Sequence, residues 1–368
     1  MSRIGERFLP HGYARLTLPA GRAILLHRRS AIVAVVLVIV TFGVAALTIS
    51  TGAYELSPAG ALRVFFGEGS TLDRFIVIDQ RLPRATAALL VGASLGASGA
   101  IFQSVSRNPL GSPDIIGFTT GAATGGLVVI LLVGTSTAAT IMVGTILGGF
   151  ATAAVVLAIA FRRGLTGDRL VLAGIAVAAM LAASNDYLIS RASIEDAEAA
   201  KAWQYGSLNA ISWPPLVPLA IVLVVVLPAA LLVTRQLRVL ELGDDAAAGV
   251  GLNLTRARTF TLAIGVCLAA IAVATAGPIG FLALAAPQLA RSLARSPGVT
   301  VLASTVMGSL ILVVADLVAQ RLLSPFQIPV GLVTSALGGA YLVWMLTFAP
   351  SPQRRRPRLR IPRPKIGS

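Results

Sequence analysis

The sequence predicts an all-α, polytopic membrane protein with about ten transmembrane helices and both termini in the cytoplasm. Hydrophobic residues make up 56% of its 368 residues and charged residues only 12%, whereas a soluble domain carries about 25% charged residues. Apolar runs of about 20 residues, the length that a spanning helix needs, recur along the chain. Most basic residues lie between these runs, on the side that an even number of spans places inside.

The apolar runs define the predicted spans and the domain boundaries. We expect helices at 31–50, 85–105, 115–133, 139–161, 170–190, 214–234, 259–278, 280–295, 298–319 and 328–348. The third and eighth are short or interrupted by Gly and Pro. We interpret the first as a span and not as a signal peptide, because no small-residue cleavage motif follows it. The predicted organisation is a basic cytoplasmic N-terminal segment at 1–30, a transmembrane domain at 31–349 and a basic disordered tail at 350–368.

The net positive charge and the single cysteine limit the partners and the metal chemistry that this chain can have. The formal net charge is +15, but the basic residues flank apolar runs and do not alternate with aromatic residues, so we expect membrane lipid and no nucleic acid as the partner of this charge. The Pro-rich tail is expected to lie near anionic lipid headgroups. Cys267 is the only cysteine, which rules out a disulfide within the chain and a thiolate metal site.

Residues 106–125, SRNPLGSPDIIGFTTGAATG, interrupt two apolar runs with an unusual polar stretch. Asn108-Pro109 and Ser112-Pro113 cannot continue a helix, so we expect a turn at the cytoplasmic face and a short helix starting near Asp114. Glycines then follow at every fourth position, Gly117, Gly121 and Gly125, which places them on one helix face. This glycine ladder allows a second helix to approach closely, or it lines a pathway beside the polar turn.

The sequence does not predict an enzyme. A P-loop needs Gly-Lys-Ser/Thr, and the two lysines, Lys201 and Lys365, follow Ala and Pro. The two histidines, His11 and His27, both lie in the N-terminal segment. We therefore expect no catalytic residue, no metal site and no cofactor in this chain.

Residues 235–258 form the longest internal loop on the predicted cytoplasmic side. Asp244 and Asp245 suit the start of a short helix, three alanines continue it, and Gly249 or Gly251 ends it. Such a small helix fits a cleft on a partner or serves as an ordinary connector.

Charged residues near the predicted outer face have two interpretations. Arg81 and Arg84 lie one turn apart and either face a partner or anchor the second helix at the lipid headgroups. Asp186 and Asp316 lie near the outer ends of their spans. We expect each to pair with Arg191 or Arg321 and not to form a proton relay.

Five ordered motifs carry a family resemblance: RLPR at 81–84, GASLGASGAIFQSVSRNPLGSPDIIGFTTGA at 92–122, LGDDAAAGVG at 242–251, GPIGFLALAAPQLAR at 277–291 and IPVGLVTSALGGAYL at 328–342. Together they resemble FecCD-type permease subunits of bacterial type II ABC importers, which carry iron–siderophore complexes, haem or cobalamin. The resemblance covers roughly residues 31–348. NPLGSPDIIGF and GGAYL are most similar to ferric enterobactin-type permease subunits.

The resemblance implies roles for particular residues. It places Asn108 at the cytoplasmic gate and makes the loop before the fifth span a second gate element. The family often has small hydroxyl residues in that loop, and Gly167 and Asp168 depart from this pattern. Thr166 and Asp168 are alternatively helix caps. The expected gate or pathway residues are Asn108, Thr166, Gly167, Asp168, Gly117, Gly121 and Gly125.

The resemblance also implies two docking surfaces. The family's coupling helix corresponds to Gly243, Asp244, Asp245, Ala246, Ala247, Gly249 and Gly251. Arginines at the outer face contact carboxylates of a binding protein, which points to Arg81, Arg84 and Arg321. Gln320 stands where the family more often has Arg, Gln288 where many members have His, and Gln327 where many have Glu.

The implied partners are a second permease subunit, expected to be a related chain in a heterodimer, two cytoplasmic ATPases that bind ATP and Mg, and an extracytoplasmic siderophore-binding protein. The implied function is ATP-driven import of ferric siderophore across a bacterial cytoplasmic (inner) membrane. Haem or cobalamin import is the alternative. An ion-coupled secondary transporter is disfavoured because few ionisable groups fall at the predicted midplane.

Overall fold

The computed structural model describes residues 13–17, 23–52, 54, 56–134, 137–162, 166–295, 298, 300–324 and 326–348. The predicted tail at 350–368 and residues 1–12 and 18–22 of the predicted N-terminal segment lie outside this part of the chain. Within that segment, β1 (Tyr13–Thr17) pairs antiparallel with β2 (Ala23–His27), so that Tyr13 faces His27. The sequence analysis did not predict these two strands.

All other regular elements of the described residues are helical. They are α1 (Arg28–Ser50), α2 (Pro58–Phe65), α3 (Thr71–Arg74), α4 (Leu82–Ser106), α5 (Phe118–Val128), α6 (Ala138–Phe161), α7 (Gly167–Arg191), α8 (Ile194–Gln204), α9 (Trp213–Leu232), α10 (Thr234–Glu241), α11 (Asp244–Gly249), α12 (Leu254–Ala276), α13 (Leu282–Ala294), α14 (Val301–Arg321) and α15 (Val330–Phe348). The π-helical stretches Phe75–Arg81 and Val129–Val133 precede α4 and follow α5.

Each predicted span coincides with one helix, namely α1, α4, α5, α6, α7, α9, α12, α13, α14 or α15. Among the described residues, 7 helices are long and apolar enough to cross a membrane, and Phe118–Val133 and Val330–Trp344 are shorter apolar helices. α13 has 13 residues and contains Pro287. The third and eighth spans are therefore short, as predicted, and the polytopic all-α fold class is confirmed.

The central helix of the bundle is α4, because its small residues let three other helices approach its backbone. Gly92 and Gly96 lie against the backbone of α14, and Gly99 lies against Ala283 of α13. Ser94 and Ser98 donate hydrogen bonds to carbonyl oxygens of α12, at 2.8 and 2.7 Å. In an apolar surrounding, close backbone packing and satisfied hydroxyls hold helices together where the hydrophobic effect does not.

Candidate gate and coupling surface

The polar turn after α4 is built by Asn108. Arg107 ends the helix in the left-handed conformation (φ 52°, ψ 30°), and Pro109 prevents the helix from continuing. The Asn108 side-chain oxygen accepts a hydrogen bond from the Leu110 amide at 2.9 Å, and its backbone carbonyl accepts one from Gly111 at 2.9 Å. Both bonds fold the chain back on itself, as Asx turns do. We call residues 106–111 the elbow.

The chain from the elbow to α5 turns once more than predicted. The Ser112 hydroxyl accepts a hydrogen bond from the Ile115 amide at 3.3 Å, and Gly117 takes a positive φ of 83°. α5 therefore begins at Phe118 and not near Asp114, because a left-handed residue interrupts the helical run. Asp114 accepts a hydrogen bond from the Thr119 hydroxyl at 2.7 Å.

The two predicted gate elements lie against each other. A β-carbon on Gly167 would overlap the backbone of Ser106, so the start of α7 packs directly on the elbow. Thr166 occupies the N-cap position of α7, but its side chain makes no capping hydrogen bond. Asp168 is exposed in the first turn. The departure from the family's hydroxyl residues thus has a geometric reason at Gly167, where no side chain fits.

The opposite side of the elbow is held by α13 and α15. Gln288 donates a hydrogen bond from Nε2 to the Pro109 carbonyl at 2.6 Å, and its Oε1 accepts one from the Tyr341 hydroxyl at 3.3 Å. Gln288 therefore joins the elbow to the last helix.

The glycine ladder packs against neighbouring helices. Gly121 and Gly125 meet Gly148 and Gly144 of α6, and Gly117 meets Ala178 and Gly174 of α7. Gly117 and Gly121 are buried. The arrangement matches the packing interpretation, and a pathway role for the ladder stays a prediction.

The short helix predicted around Asp244 to Gly251 is present as α11, and its coupling role stays a prediction. Gly243 precedes it with a φ of 108°, and Asp244 and Asp245 form its first turn. Gly251, at a φ of 82°, and the hydrogen bond from the Leu252 amide to the Ala247 carbonyl (3.0 Å) end it. Ala247 is fully buried against its own chain. The exposed face is formed instead by Ala246, Ala248, Gly249 and the flanking Leu242 and Val250.

Two acidic residues fix this region to the bundle. Asp244 Oδ1 lies 2.6 Å from Nη2 of Arg258 on α12 and 3.2 Å from Nη2 of Arg107 in the elbow. Glu241 Oε1 accepts a hydrogen bond from Ser104 at 3.0 Å and lies 3.6 Å from Nη2 of Arg291. The sequence analysis missed Glu241 and both pairings of Asp244. In the sequence, these ion pairs are indicated only by acidic residues within a loop rich in arginine.

At the opposite end of α4, Arg84 forms a buried ion pair with Asp316. Its Nε and Nη2 reach the Asp316 carboxylate at 2.9–3.1 Å, and Nη1 donates to Oε1 of Gln327 at 2.6 Å. Gln320 donates to the same carboxylate at 2.7 Å. The predicted pairing of Asp316 with Arg191 or Arg321 is wrong, because packing of α4 on α14 brings Arg84 closer. Gln327 thereby gains a structural role.

The other outer residues have different surroundings. Arg81 is half-buried and donates hydrogen bonds to the carbonyls of Ile49 (2.9 Å) and Tyr54 (2.6 Å), whereas Arg321 is exposed. The hydrogen bond from the Tyr54 hydroxyl to Asp73, at 2.8 Å, raises the pKa of the phenol. Arg81 and Arg84 both line a cavity of about 610 Å³.

Asp186 lies 3.4 Å from Nζ of Lys201, so its predicted pairing with Arg191 or Arg321 is also wrong. α8 folds back on the end of α7 and brings Lys201 to this carboxylate. Among the described residues no group of three or more His, Cys, Asp or Glu could hold a metal ion.

Comparison with known proteins identifies the family of this chain. The model of the FecCD transport family matches residues 35–348. The chain belongs to the FecCD transport family. FepG, the ferric enterobactin transport system permease protein of Escherichia coli (strain K12), is 43% identical over 80% of this chain and 89% of its own length. YfmE, the Fe(3+)-citrate import system permease protein of Bacillus subtilis (strain 168), is 33% identical over 87% and 96%.

A solved structure shows the same fold for this FecCD-family chain. It is a metal-chelate type ABC transporter in an inward-facing conformation, 28% identical, with a TM-score of 0.76. The match covers 86% of this chain and 98% of the solved one. The elbow, α11 and both ion-pair clusters fall within the residues that the family model matches.

Proposed function

We propose that this chain is the transmembrane permease subunit of an ATP-driven importer, which moves ferric siderophore across the cytoplasmic membrane of a bacterium. ATP is hydrolysed, with Mg, by separate subunits. Membership of the FecCD transport family supports transport, and the names of FepG and YfmE support an iron chelate as substrate.

The observation that carries the proposal is α11. It is a short helix with an exposed face of small residues, flanked by Leu242 and Val250, which are 72% and 70% exposed. A chain without a P-loop lysine must receive work through a contact surface, and exposed apolar side chains beside a small-residue face suit such a contact. The ion pair between Asp244 and Arg107 joins this face to the elbow.

A second permease subunit is supported by α7. Of the 7 described helices that are long and apolar enough to span a membrane, α7 is the least buried and the least apolar. A helix that faced only lipid would be the most apolar of the set. Asp186 is exposed on α7 and is a charged residue that lipid would disfavour. We infer that α7 faces the partner permease and the pathway between the two subunits.

Reconstitution tests the proposal. The chain is co-expressed with a partner permease, an ATPase and a binding protein from the same bacterium, inserted into proteoliposomes and supplied with ferric enterobactin, haem or cobalamin. We expect ATP-dependent uptake of ferric enterobactin that requires the binding protein. Uptake of haem or cobalamin without uptake of ferric enterobactin would show that the substrate is not a ferric siderophore. Uptake driven by an ion gradient without the ATPase would overturn the proposal.

A further inference from the structure

The charge of Asp244 is shared by two arginines that belong to different parts of the molecule. Both Nη2 atoms approach the same oxygen, Oδ1, at 2.6 Å from Arg258 and 3.2 Å from Arg107. Arg258 lies on α12, which packs on α4 in the core, and Arg107 is the hinge residue where α4 turns into the elbow. One carboxylate at the start of α11 therefore joins the coupling helix, the core and the elbow.

The two ion pairs differ in strength. The Arg258 side chain is 4% exposed, so losing Asp244 would leave a buried charge without this partner. The Arg107 side chain is 36% exposed, and water and salt screen its pair. Any displacement of α11 that stretches both contacts therefore breaks the Arg107 pair first and leaves the Arg258 pair in place.

Local geometry favours such a release at Arg107. Its backbone is left-handed, a conformation that side-chain-bearing residues adopt at a cost, and Asn108 makes its hydrogen bonds within the elbow. A β-carbon on Gly243 would come 3.5 Å from Nη1 of Arg107, an ordinary contact, which places this guanidinium beside the start of α11. Arg107 is thus the charged side chain by which the elbow contacts α11 in the described residues.

We propose that Asp244 is a positioning residue that latches the elbow to α11, with Arg258 as the permanent anchor and Arg107 as the releasable arm. The latch rests on the proposed function in one respect only: the force that moves α11 comes from the ATPase. The contact itself exists in the permease alone. Release of Arg107 lets the elbow move relative to α11, and re-formation of the pair couples them again.

The latch is tested on the purified permease without partners, so the result does not depend on substrate or ATPase. Spin labels are placed at Leu110→Cys and Ala246→Cys, both exposed, in a Cys267→Ala background. In the labelled protein with Arg107 intact, we expect one narrow distribution of distances between the two labels. The distribution should broaden in Arg107→Gln, and it should also broaden when salt is added to the protein with Arg107 intact. Arg256→Gln, which removes an exposed arginine of the same α12, is the matched control and should leave the distribution narrow.

A second measurement uses the assembled complex. An exposed ion pair shifts an equilibrium by about two- to fivefold, so Arg107→Gln should lower the ratio of binding-protein-stimulated to basal ATPase by about that factor. Arg107→Lys should restore part of the ratio, which a purely structural role of the arginine would not explain. An unchanged distance distribution in Arg107→Gln would overturn the latch. A normal ratio combined with a broadened distribution would also overturn its coupling role.

Discussion

Gly167 lies so close to the backbone of Ser106 that a β-carbon at position 167 would overlap the Ser106 carbonyl. This contact joins the start of α7 to the elbow and makes the two predicted gate elements one unit. Gly167→Ala should therefore displace one element from the other and lower the free energy of unfolding by about 1–3 kcal/mol. Thermal unfolding of the purified permease measures the loss. Gly339→Ala on α15, where a β-carbon meets nothing within 4 Å, is the control. Equal stability of both variants would contradict the contact.

The ion pair of Arg84 and Asp316 should contribute to stability and not to docking. Asp316 is 1% exposed, and its removal leaves Arg84 without its carboxylate partner. Asp316→Asn is expected to lower the free energy of unfolding by about 3–5 kcal/mol. Asp186→Asn breaks the exposed pair with Lys201 and should change stability little. A double-mutant cycle of Arg84→Gln and Asp316→Asn should show strong coupling, and additive effects would argue against the pair.

Part of this architecture follows from the sequence because it depends on local chemistry. Apolar length predicts the helices, and proline spacing predicts the elbow. The partners of Arg84 and Asp316 could not be predicted, since they lie 232 positions apart and meet only when α4 packs on α14. Which face of α11 is exposed likewise depends on tertiary packing. Ala246 and Ala247 are the same residue type, and only packing against the rest of the chain buries Ala247.

Binding-protein docking should depend on Arg321. It is exposed at the end of α14, whereas Arg84 is bound to Asp316 and Arg81 to two backbone carbonyls. Arg321→Glu should weaken association with the binding protein, more at low salt than at high salt, because long-range charge steering is screened. Surface-bound binding protein titrated with purified permease gives the affinity. Arg256→Glu, on the predicted inner side, controls for net charge, and an equal effect of both variants would refute a specific role.

Thiol labelling at two exposed positions should report the orientation of the chain in the membrane. The charge distribution places α11 in the cytoplasm and α8 outside. Gly249 and Glu198 are both exposed, so Gly249→Cys and Glu198→Cys are suitable probes, each in a Cys267→Ala background. In intact cells a membrane-impermeant thiol reagent should label position 198 and not position 249. Labelling of position 249 from outside would reverse the topology.

Coupling to the ATPase should depend on the exposed face of α11. Ala246→Trp adds a large ring where Ala246 and Gly249 face solvent, so the permease should keep its stability and lose the ATPase in co-purification. Ala247→Trp is the matched variant one residue away. Its ring must enter a fully buried site, and overpacking should cost about 1–3 kcal/mol in unfolding free energy.

The two tryptophan variants therefore separate a contact surface from a structural helix. Thermal unfolding and ATPase retention are measured on both, together with uptake of ferric enterobactin in proteoliposomes. We expect Ala246→Trp to retain normal unfolding while losing ATPase and uptake, since the added ring fills the space that a partner cleft would occupy. Normal ATPase retention in Ala246→Trp would move the coupling contact away from α11, with the elbow as the next candidate surface because Leu110 is exposed there.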